Sequence, residues 1–384
     1  MGFILAEALC RVAESLRCVD REDVLSEPNR FYGWRLTPRA GGWGQHCLHG
    51  HVEWRAYSRI NGNGLRDRDI PYERHGGFRV LVLGDSFIEA HQVDIEQSVT
   101  KRIERALAAR PSVPHPVEVI NAGVSAFGTD NELLYYLHEG SKYRADLILL
   151  AFFTGNDVME NHHELIGLRG VPYPRKPYFE LVDGRLVVRD HPLPPERTIV
   201  RWKRDLRQLL ERRAALYRLL SALALPRQAS AAAPPALQGL NAQLAVYLKE
   251  SPERWRQAWR ITRGLLLRLR QAVEANGSRF GVIVVNDRVE VADQYWQWVF
   301  SGNSGLDPAD FDRDRPDRLL TAFLERRGIR TIRLLDAFRA RFGEAGTPGF
   351  FSWDGHWDVP GHELAADAIT ADLLAHGDAS RPGS

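Results

Sequence analysis

The sequence has 384 residues, which fits two or three domains at about 150 residues each, or one elaborated α/β domain. Its 51 lysine and arginine residues against 49 aspartate and glutamate residues give a formal charge of +2. That balance argues against a nucleic acid as the main partner. Hydrophobic residues make up 44% of the chain, so we expect a sizeable packed core.

The cysteines are too few for a disulfide framework and lack the spacing of a zinc site. They are Cys10, Cys18 and Cys47. We therefore expect neither a structural disulfide nor structural zinc.

Residues 1–16 carry an apolar stretch that Glu7 and Arg11 interrupt. This pattern predicts an amphipathic helix rather than a signal peptide or a membrane span. The sequence as it stands predicts a cytoplasmic protein. A longer natural N-terminus with a membrane anchor would instead place it in the envelope or periplasm, or on a membrane.

Residues 28–78 are rich in glycine, arginine and aromatic residues and end in Asn-Gly pairs, which predicts an irregular or β-rich extension. Apolar runs then predict five strands, namely Phe78–Leu83, Val117–Ile120, Asp146–Phe153, Phe280–Val285 and Arg330–Asp336. Periodic segments predict helices at 97–109, 130–143 and 360–375. The runs are continuous rather than alternating, which is typical of strands covered on both faces in a parallel α/β sheet.

The region 158–255 is too long for a simple loop and should carry structure of its own. Tyr178–Val188 predicts a hairpin through Asp183-Gly184, and Thr198–Leu225 predicts a basic amphipathic helix. A flexible connection is expected at 228–235. Two interpretations of the basic helix stay open: a cap helix with solvated arginines, or docking of its arginine-rich face on a membrane or a partner.

Ligands of open α/β sheets bind beyond the carboxyl ends of the strands, so residues there are candidates for chemistry. Ser86 follows the first strand at a sharp turn, where a serine can act as a nucleophile or simply cap a helix. Gly123 and Asn156 follow the second and third strands. With the Ser86 N–H, the Gly123 N–H and the Asn156 amide would form an oxyanion hole, unless they are merely turn and cap residues.

A base is expected near the C-terminus. His356 can accept a serine proton near neutral pH, and Asp354 can fix its tautomer. His362 is a competing candidate, but it lies within the predicted last helix and is expected to pack there.

Four segments in this order resemble the four conserved blocks of the SGNH hydrolases, also called GDSL esterases or lipases. They are Gly84-Asp85-Ser86-Phe87, Asn121-Ala122-Gly123-Val124, Thr154-Gly155-Asn156-Asp157 and Asp354-Gly355-His356-Trp357. The resemblance implies a flavodoxin-like three-layer α/β/α sandwich with a central parallel sheet. We therefore expect an N-terminal extension at 1–77, a hydrolase domain at 78–376 with a cap-like insertion at 158–255, and a disordered tail at 377–384.

The resemblance also implies a triad of Ser86 as nucleophile, His356 as base and Asp354 as its orienting acid, with Ser86, Gly123 and Asn156 at the oxyanion hole. One feature departs from the commonest family pattern, because Asp354 stands two residues before the histidine rather than three. This D-x-H-W arrangement is similar to a branch that includes alginate O-acetyltransferase-like proteins. The segment Asn63-Gly64-Leu65-Arg66-Asp67 also resembles that branch, whose members often begin with a membrane anchor.

These features favour a serine esterase that hydrolyses a short acyl ester, including one on a carbohydrate, and needs no metal or organic cofactor. One alternative is an O-acyltransferase that uses the same triad on a glycan acceptor. Another is a non-catalytic carbohydrate-binding or assembly module. The expected partners are a small-molecule or glycan ester and no nucleic acid, with membrane association through the N-terminus or the basic helix as an open alternative. The sequence does not indicate an oligomeric state.

Overall fold

The computed structural model describes residues 5–10, 18, 20–22, 25–169, 175–196, 198–217, 242–301, 305–344 and 349–379. The predicted connection at 228–235 lies outside the described residues, and so does the end of the chain after residue 379.

The strands, in chain order, are β1 (Arg21–Glu22), β2 (Ser26–Asn29), β3 (Gly33–Leu36), β4 (Gly41–Leu48), β5 (His51–Arg59), β6 (Phe78–Gly84), β7 (Val117–Gly123), β8 (Leu147–Phe153), β9 (Tyr178–Val182), β10 (Arg185–Arg189), β11 (Arg279–Val285) and β12 (Arg330–Arg333). The helices used below are α1 (Ser86–Glu89), α2 (Val99–Ala108), α3 (Thr129–His138), α4 (Asp157–Glu160), α5 (Thr198–Arg213), α6 (Glu253–Ala275), α7 (Arg288–Val291), α8 (Asp293–Ser301), α9 (Arg315–Arg326), α10 (Leu335–Phe342) and α11 (Val359–Ala375).

The central sheet has five parallel strands in the order β12-β11-β8-β6-β7. Numbered along the chain, these strands have the flavodoxin-like order 2-1-3-4-5. Every residue of β6 and β8 is buried, as expected for strands covered on both faces. The predicted fold class and all five predicted strands are therefore confirmed.

Two predicted elements end earlier than expected. Strand β12 stops at Arg333 instead of reaching Asp336, because helix α10 begins at Leu335. Helix α3 stops at His138, and a short 3₁₀ turn covers Gly140–Tyr143.

Helices cover both faces of the sheet. Alternate residues of β6 belong to different cores, since Val80 and Val82 pack on one side and Leu81 and Leu83 on the other. Helices α2, α10 and α11 contribute to the first core, and helices α3, α6 and α9 contribute to the second. The result is the predicted three-layer α/β/α sandwich.

The N-terminal extension is β-rich, as predicted. Strands β4 and β5 form a long antiparallel hairpin with β1 at its edge, and β2 pairs with β3. The prediction that no disulfide forms is wrong, because a disulfide bond links Cys18 to Cys47. Pairing of β1 with β4 brings residues 29 positions apart to a Cα–Cα distance of 5.5 Å, a proximity that cysteine spacing alone cannot reveal.

The insertion contains the predicted hairpin, formed by β9 and β10. Its turn residues, Asp183 and Gly184, have φ values of 50° and 75°, as a two-residue type I′ turn requires. Helix α5 begins at Thr198 as predicted and ends at Arg213, whereas the prediction extended it to Leu225, and residues 218–241 lie outside the described residues. Among the helices of the described ranges, none combines the length and apolar character needed to cross a bilayer.

Candidate active site

The nucleophile candidate, Ser86, lies at the switch point of the sheet, where strand β6 leads into helix α1. Gly84 permits this turn, because a Cβ atom there would lie 2.5 Å from the Ile88 side chain. The helix cap is Asp85, whose Oδ1 accepts the Phe87 N–H at 2.9 Å. Ser86 is therefore not the capping residue, and its hydroxyl is available for another role.

The four blocks, although distant in sequence, bring a serine, a histidine and an aspartate together. The Oγ atom of Ser86 lies 2.6 Å from Nε2 of His356, and Nδ1 of the same ring lies 2.5 Å from Oδ1 of Asp354. This is the order of contacts in a Ser-His-Asp triad, in which the carboxylate holds the tautomer whose Nε2 faces the hydroxyl.

The two-residue spacing of Asp354 and His356 depends on Gly355. Gly355 has φ +86°, in the left-handed region that favours glycine. With this turn, Asp354 Oδ1 accepts both the backbone N–H of His356, at 3.2 Å, and its ring N–H. Two backbone hydrogen bonds close this tight turn. The Phe351 N–H donates to the His356 carbonyl, and the Gly355 N–H donates to the Phe351 carbonyl. The D-x-H spacing thus allows one carboxylate oxygen to accept both the backbone N–H and the ring N–H of His356.

The N-terminal hairpin supports the acid, a contribution that sequence analysis missed. Trp54 on β5 donates its indole N–H to Asp354 Oδ2 at 3.1 Å, and Gln92 donates to Oδ1 at 3.4 Å. Glu53 accepts the backbone N–H groups of Trp353 and Asp354, at 2.8 and 3.1 Å. Both carboxylate oxygens of Asp354 are therefore hydrogen-bonded, and its loop is held by residues about 300 positions earlier.

Electrostatics match the roles expected of the pair. Burial lowers the pKa of His356, but the hydrogen bond and charge of Asp354, with the charges of Asp85 and Glu89, outweigh it and raise that pKa. Burial raises the pKa of Asp354, and the hydrogen bond and charge of His356 more than reverse this, so the pKa of Asp354 is well below its usual range. The carboxylate is thus ionised, which is the state that would stabilise an imidazolium formed if His356 accepted a proton from Ser86.

Asn156 lies at the carboxyl end of β8, across the switch point from Ser86. It is buried, and its amide Nδ2 donates to Glu160 Oε1 at 3.3 Å, which orients the side chain from helix α4. It is the cap residue of α4 by position, yet its side chain makes no capping bond. One N–H of the amide is thus left for a bound oxygen.

The structure disfavours the predicted role of Gly123. Its N–H donates to Asn121 Oδ1 at 3.0 Å. The need for glycine comes instead from packing, because a Cβ atom would lie 2.2 Å from the Glu89 backbone nitrogen. In the same loop, Ala126 has φ +63°, a backbone conformation that alanine rarely adopts and that is typical of functional sites.

The segment ahead of β6 contacts the C-terminal end of helix α1, which begins at Ser86. Arg66 is buried and donates to the backbone carbonyls of Glu89, Ala90 and Val93 and to the Ser58 hydroxyl. Its guanidinium satisfies carbonyls that the C-terminus of a helix leaves without partners. Arg66 thus fixes the end of α1 that lies opposite Ser86.

The remaining candidates do not join the site. His362 is buried in helix α11 against Trp357, and burial lowers its pKa to about 3, so it packs as expected rather than acting as the base. In the part of the chain that the structure describes, no group of three or more His, Cys, Asp or Glu side chains is arranged to hold a metal ion.

No family model matches the chain, and no curated protein matches it significantly. Solved structures with a similar shape include the acetyl xylan esterase AlAXEase, at 11% identity and a TM-score of 0.40, with 77% of this chain and 100% of that chain covered. A catalytic mutant of Axe2, an acetylxylan esterase from Geobacillus stearothermophilus, is 15% identical with a TM-score of 0.39, and the match covers 77% and 94% of the two chains.

A putative lipolytic protein of the G-D-S-L family from Desulfitobacterium hafniense DCB-2 is also similar, at 9% identity and a TM-score of 0.36, with 77% and 99% covered. The fold class follows from the strand order of the central sheet, and the resemblance to the SGNH hydrolases follows from the four sequence blocks. The identification of the site residues comes from the four blocks and from the distances between Ser86, His356 and Asp354.

Proposed function

We propose that this protein is a serine esterase of the SGNH type that hydrolyses a short acyl ester through an acyl-Ser86 intermediate. The observation that supports this most directly is the continuous hydrogen-bonded chain from Ser86 through His356 to Asp354. A hydroxyl at a helix N-terminus, paired with an oriented imidazole, is the arrangement that nucleophilic acyl transfer requires.

In the proposed mechanism, Nε2 of His356 takes the proton of Ser86 while Oγ bonds to the ester carbonyl carbon. The negative charge that develops on the carbonyl oxygen is stabilised by the Ser86 N–H and the Asn156 amide. For the third donor we propose the N–H of Ala126 instead of that of Gly123, because the Gly123 N–H already donates to Asn121. The alcohol then leaves with the proton from His356, and a water molecule activated by His356 releases the acid from Ser86.

The test is turnover of p-nitrophenyl acetate by the wild type and by Ser86→Ala, with Ser301→Ala as a control that removes an exposed hydroxyl, which donates to the Trp298 carbonyl within helix α8. We expect Ser86→Ala to lower kcat by at least about 10³-fold and Ser301→Ala to have no effect. Intact-protein mass spectrometry after rapid quenching should find an acetyl adduct on the wild type and none on Ser86→Ala. Full activity of Ser86→Ala would refute the proposal, and activity in neither enzyme would favour the non-catalytic module.

One observation favours the O-acyltransferase alternative. Trp353, beside the acid, is 58% exposed, and a large exposed indole next to a catalytic loop is suited to stacking on a sugar ring. In this alternative a glycan hydroxyl replaces water as the acceptor for the acyl group on Ser86. Incubation with p-nitrophenyl acetate and oligosaccharides distinguishes the two, since the transferase yields an acetylated sugar and the esterase yields acetate. Trp353→Ala should raise the KM for a glycan acceptor without changing turnover of p-nitrophenyl acetate.

A further inference from the structure

Helix α5 presents an apolar stripe to solvent. Ile199, Trp202, Leu206 and Leu209 are all exposed, and their spacing of three, four and three residues places them within about 80° of arc on the helix. Trp202 is 59% exposed. A stripe of this kind on a helix usually faces a core, so its exposure here marks an interaction surface.

Two further exposed apolar side chains lie in a short helical segment that contacts the chain just after α5. Leu5 and Leu9, in the helical residues 5–10, are 62% and 61% exposed. Between them, Glu7 accepts the backbone N–H groups of Ala215 and Leu216, each at 2.9 Å, and these residues follow α5 directly. This contact holds the helical residues 5–10 against the chain that follows α5.

Positive charge is concentrated on the same helix. Its 16 residues contain six arginines and lysines and two acidic residues, a net charge of +4. The whole chain has a charge of +2, so the rest of the chain has a net charge of −2. Arg201, Lys203 and Arg207 are exposed beside the apolar stripe. This combination of cations, an exposed tryptophan and aliphatic side chains complements an anionic lipid surface.

We propose that α5, together with residues 5–10, docks this protein on the surface of an anionic bilayer. The apolar stripe would enter the boundary between headgroups and acyl chains, and the cations would contact the lipid phosphates. A bilayer is favoured over a protein groove because the exposed apolar side chains lie on one helix with exposed cations on both sides of the stripe. The proposal is independent of the esterase assignment, since α5 contributes no residue to the triad.

The test is co-sedimentation of the full chain with vesicles of phosphatidylcholine alone or of phosphatidylcholine with phosphatidylglycerol. Two double variants separate the contributions, namely Trp202→Ser with Leu206→Ser for the apolar stripe, and Arg201→Gln with Lys203→Gln for the charge. Trp298→Ser is the matched control, because Trp298 on α8 is an indole 64% exposed elsewhere on the surface. Turnover of p-nitrophenyl acetate should be unchanged in all variants.

We expect the wild type and the control to sediment with the anionic vesicles and not with phosphatidylcholine alone. The charge variant should bind about fivefold more weakly for each cation removed, and the apolar variant should lose at least about tenfold in partitioning. Three results would overturn the proposal. The wild type could bind both vesicle types equally, it could bind neither, or both double variants could bind as tightly as the wild type. The competing explanation is that a second copy of the chain covers the stripe, and analytical ultracentrifugation without lipid tests it. If the wild type is a dimer and the Trp202 and Leu206 substitutions dissociate it, the stripe is a dimer interface and the proposal is wrong.

Discussion

The indole of Trp54 offers a test of whether the N-terminal hairpin is part of the catalytic apparatus. Trp54→Phe keeps an aromatic ring at this buried position and removes the N–H that donates to Asp354 Oδ2 at 3.1 Å. A hydrogen bond to a charged group contributes about 1.5–3 kcal/mol. Asp354 retains its two bonds from His356, so we place the loss at the lower end of this range.

A loss of about 1.5 kcal/mol of transition-state stabilisation lowers kcat about 13-fold. The triad would be perturbed but the substrate would bind as before, so KM for p-nitrophenyl acetate should not change. Trp43→Phe is the control, because Trp43 lies on the same hairpin and packs against Tyr57 on its exposed face. The assay is steady-state kinetics of both variants, together with their Tm values.

Two results would refute this reasoning. One is a kcat of Trp54→Phe within twofold of the wild type, which would mean that Asp354 does not need this donor. The other is an equal loss in Trp43→Phe, which would indicate a general effect of weakening the hairpin.

Further predictions concern the base, the turn and the oxyanion site. His356 must be neutral to accept a proton, and Asp354 raises its pKa. We therefore expect kcat/KM to fall as pH decreases through a midpoint above about 6.5, and we expect Asp354→Asn to lower both that midpoint and the rate. A wild-type midpoint below about 6.5 would contradict this prediction. Gly355→Ala and its control Gly277→Ala both place alanine at positive φ, and each should lower the free energy of unfolding by about 1–2 kcal/mol. Only Gly355→Ala should also reduce kcat, which denaturation and steady-state kinetics of both variants would test. Asn156→Ala should lower kcat by about 10²–10³-fold and should also lower Tm, because Glu160 loses a buried donor. An undiminished rate would remove Asn156 from the oxyanion site.

The sheet and the residues of the candidate triad could be predicted from the sequence because both depend on local patterns. Continuous apolar runs identify strands buried on both faces, and the parallel arrangement then brings residues at their carboxyl ends to one rim. Ser86 and Asn156 follow their strands directly. The position of His356 needed the motif as well, because it lies in a loop that no strand end marks.

The parts that could not be predicted depend on contacts between distant segments. Nothing in the local sequence around Trp54 indicates that its N–H reaches Asp354, and the Cys18–Cys47 bond follows from the pairing of β1 with β4. Gly123 shows a different limit. Its position suited an oxyanion donor, but a sequence cannot reveal that the Asn121 side chain, two residues earlier, already accepts its N–H.

The support of the acid by the hairpin has a consequence for when activity arises during folding. The bond between Ser86 and His356 joins residues 270 positions apart, and that between Trp54 and Asp354 joins residues 300 positions apart. Contacts of such large sequence separation form late, because a long loop must close before they contribute any stabilising energy. In the proposed mechanism, a chain whose sheet has already formed would therefore stay inactive until these distant segments meet, and catalytic turnover would report the completion of folding rather than its onset.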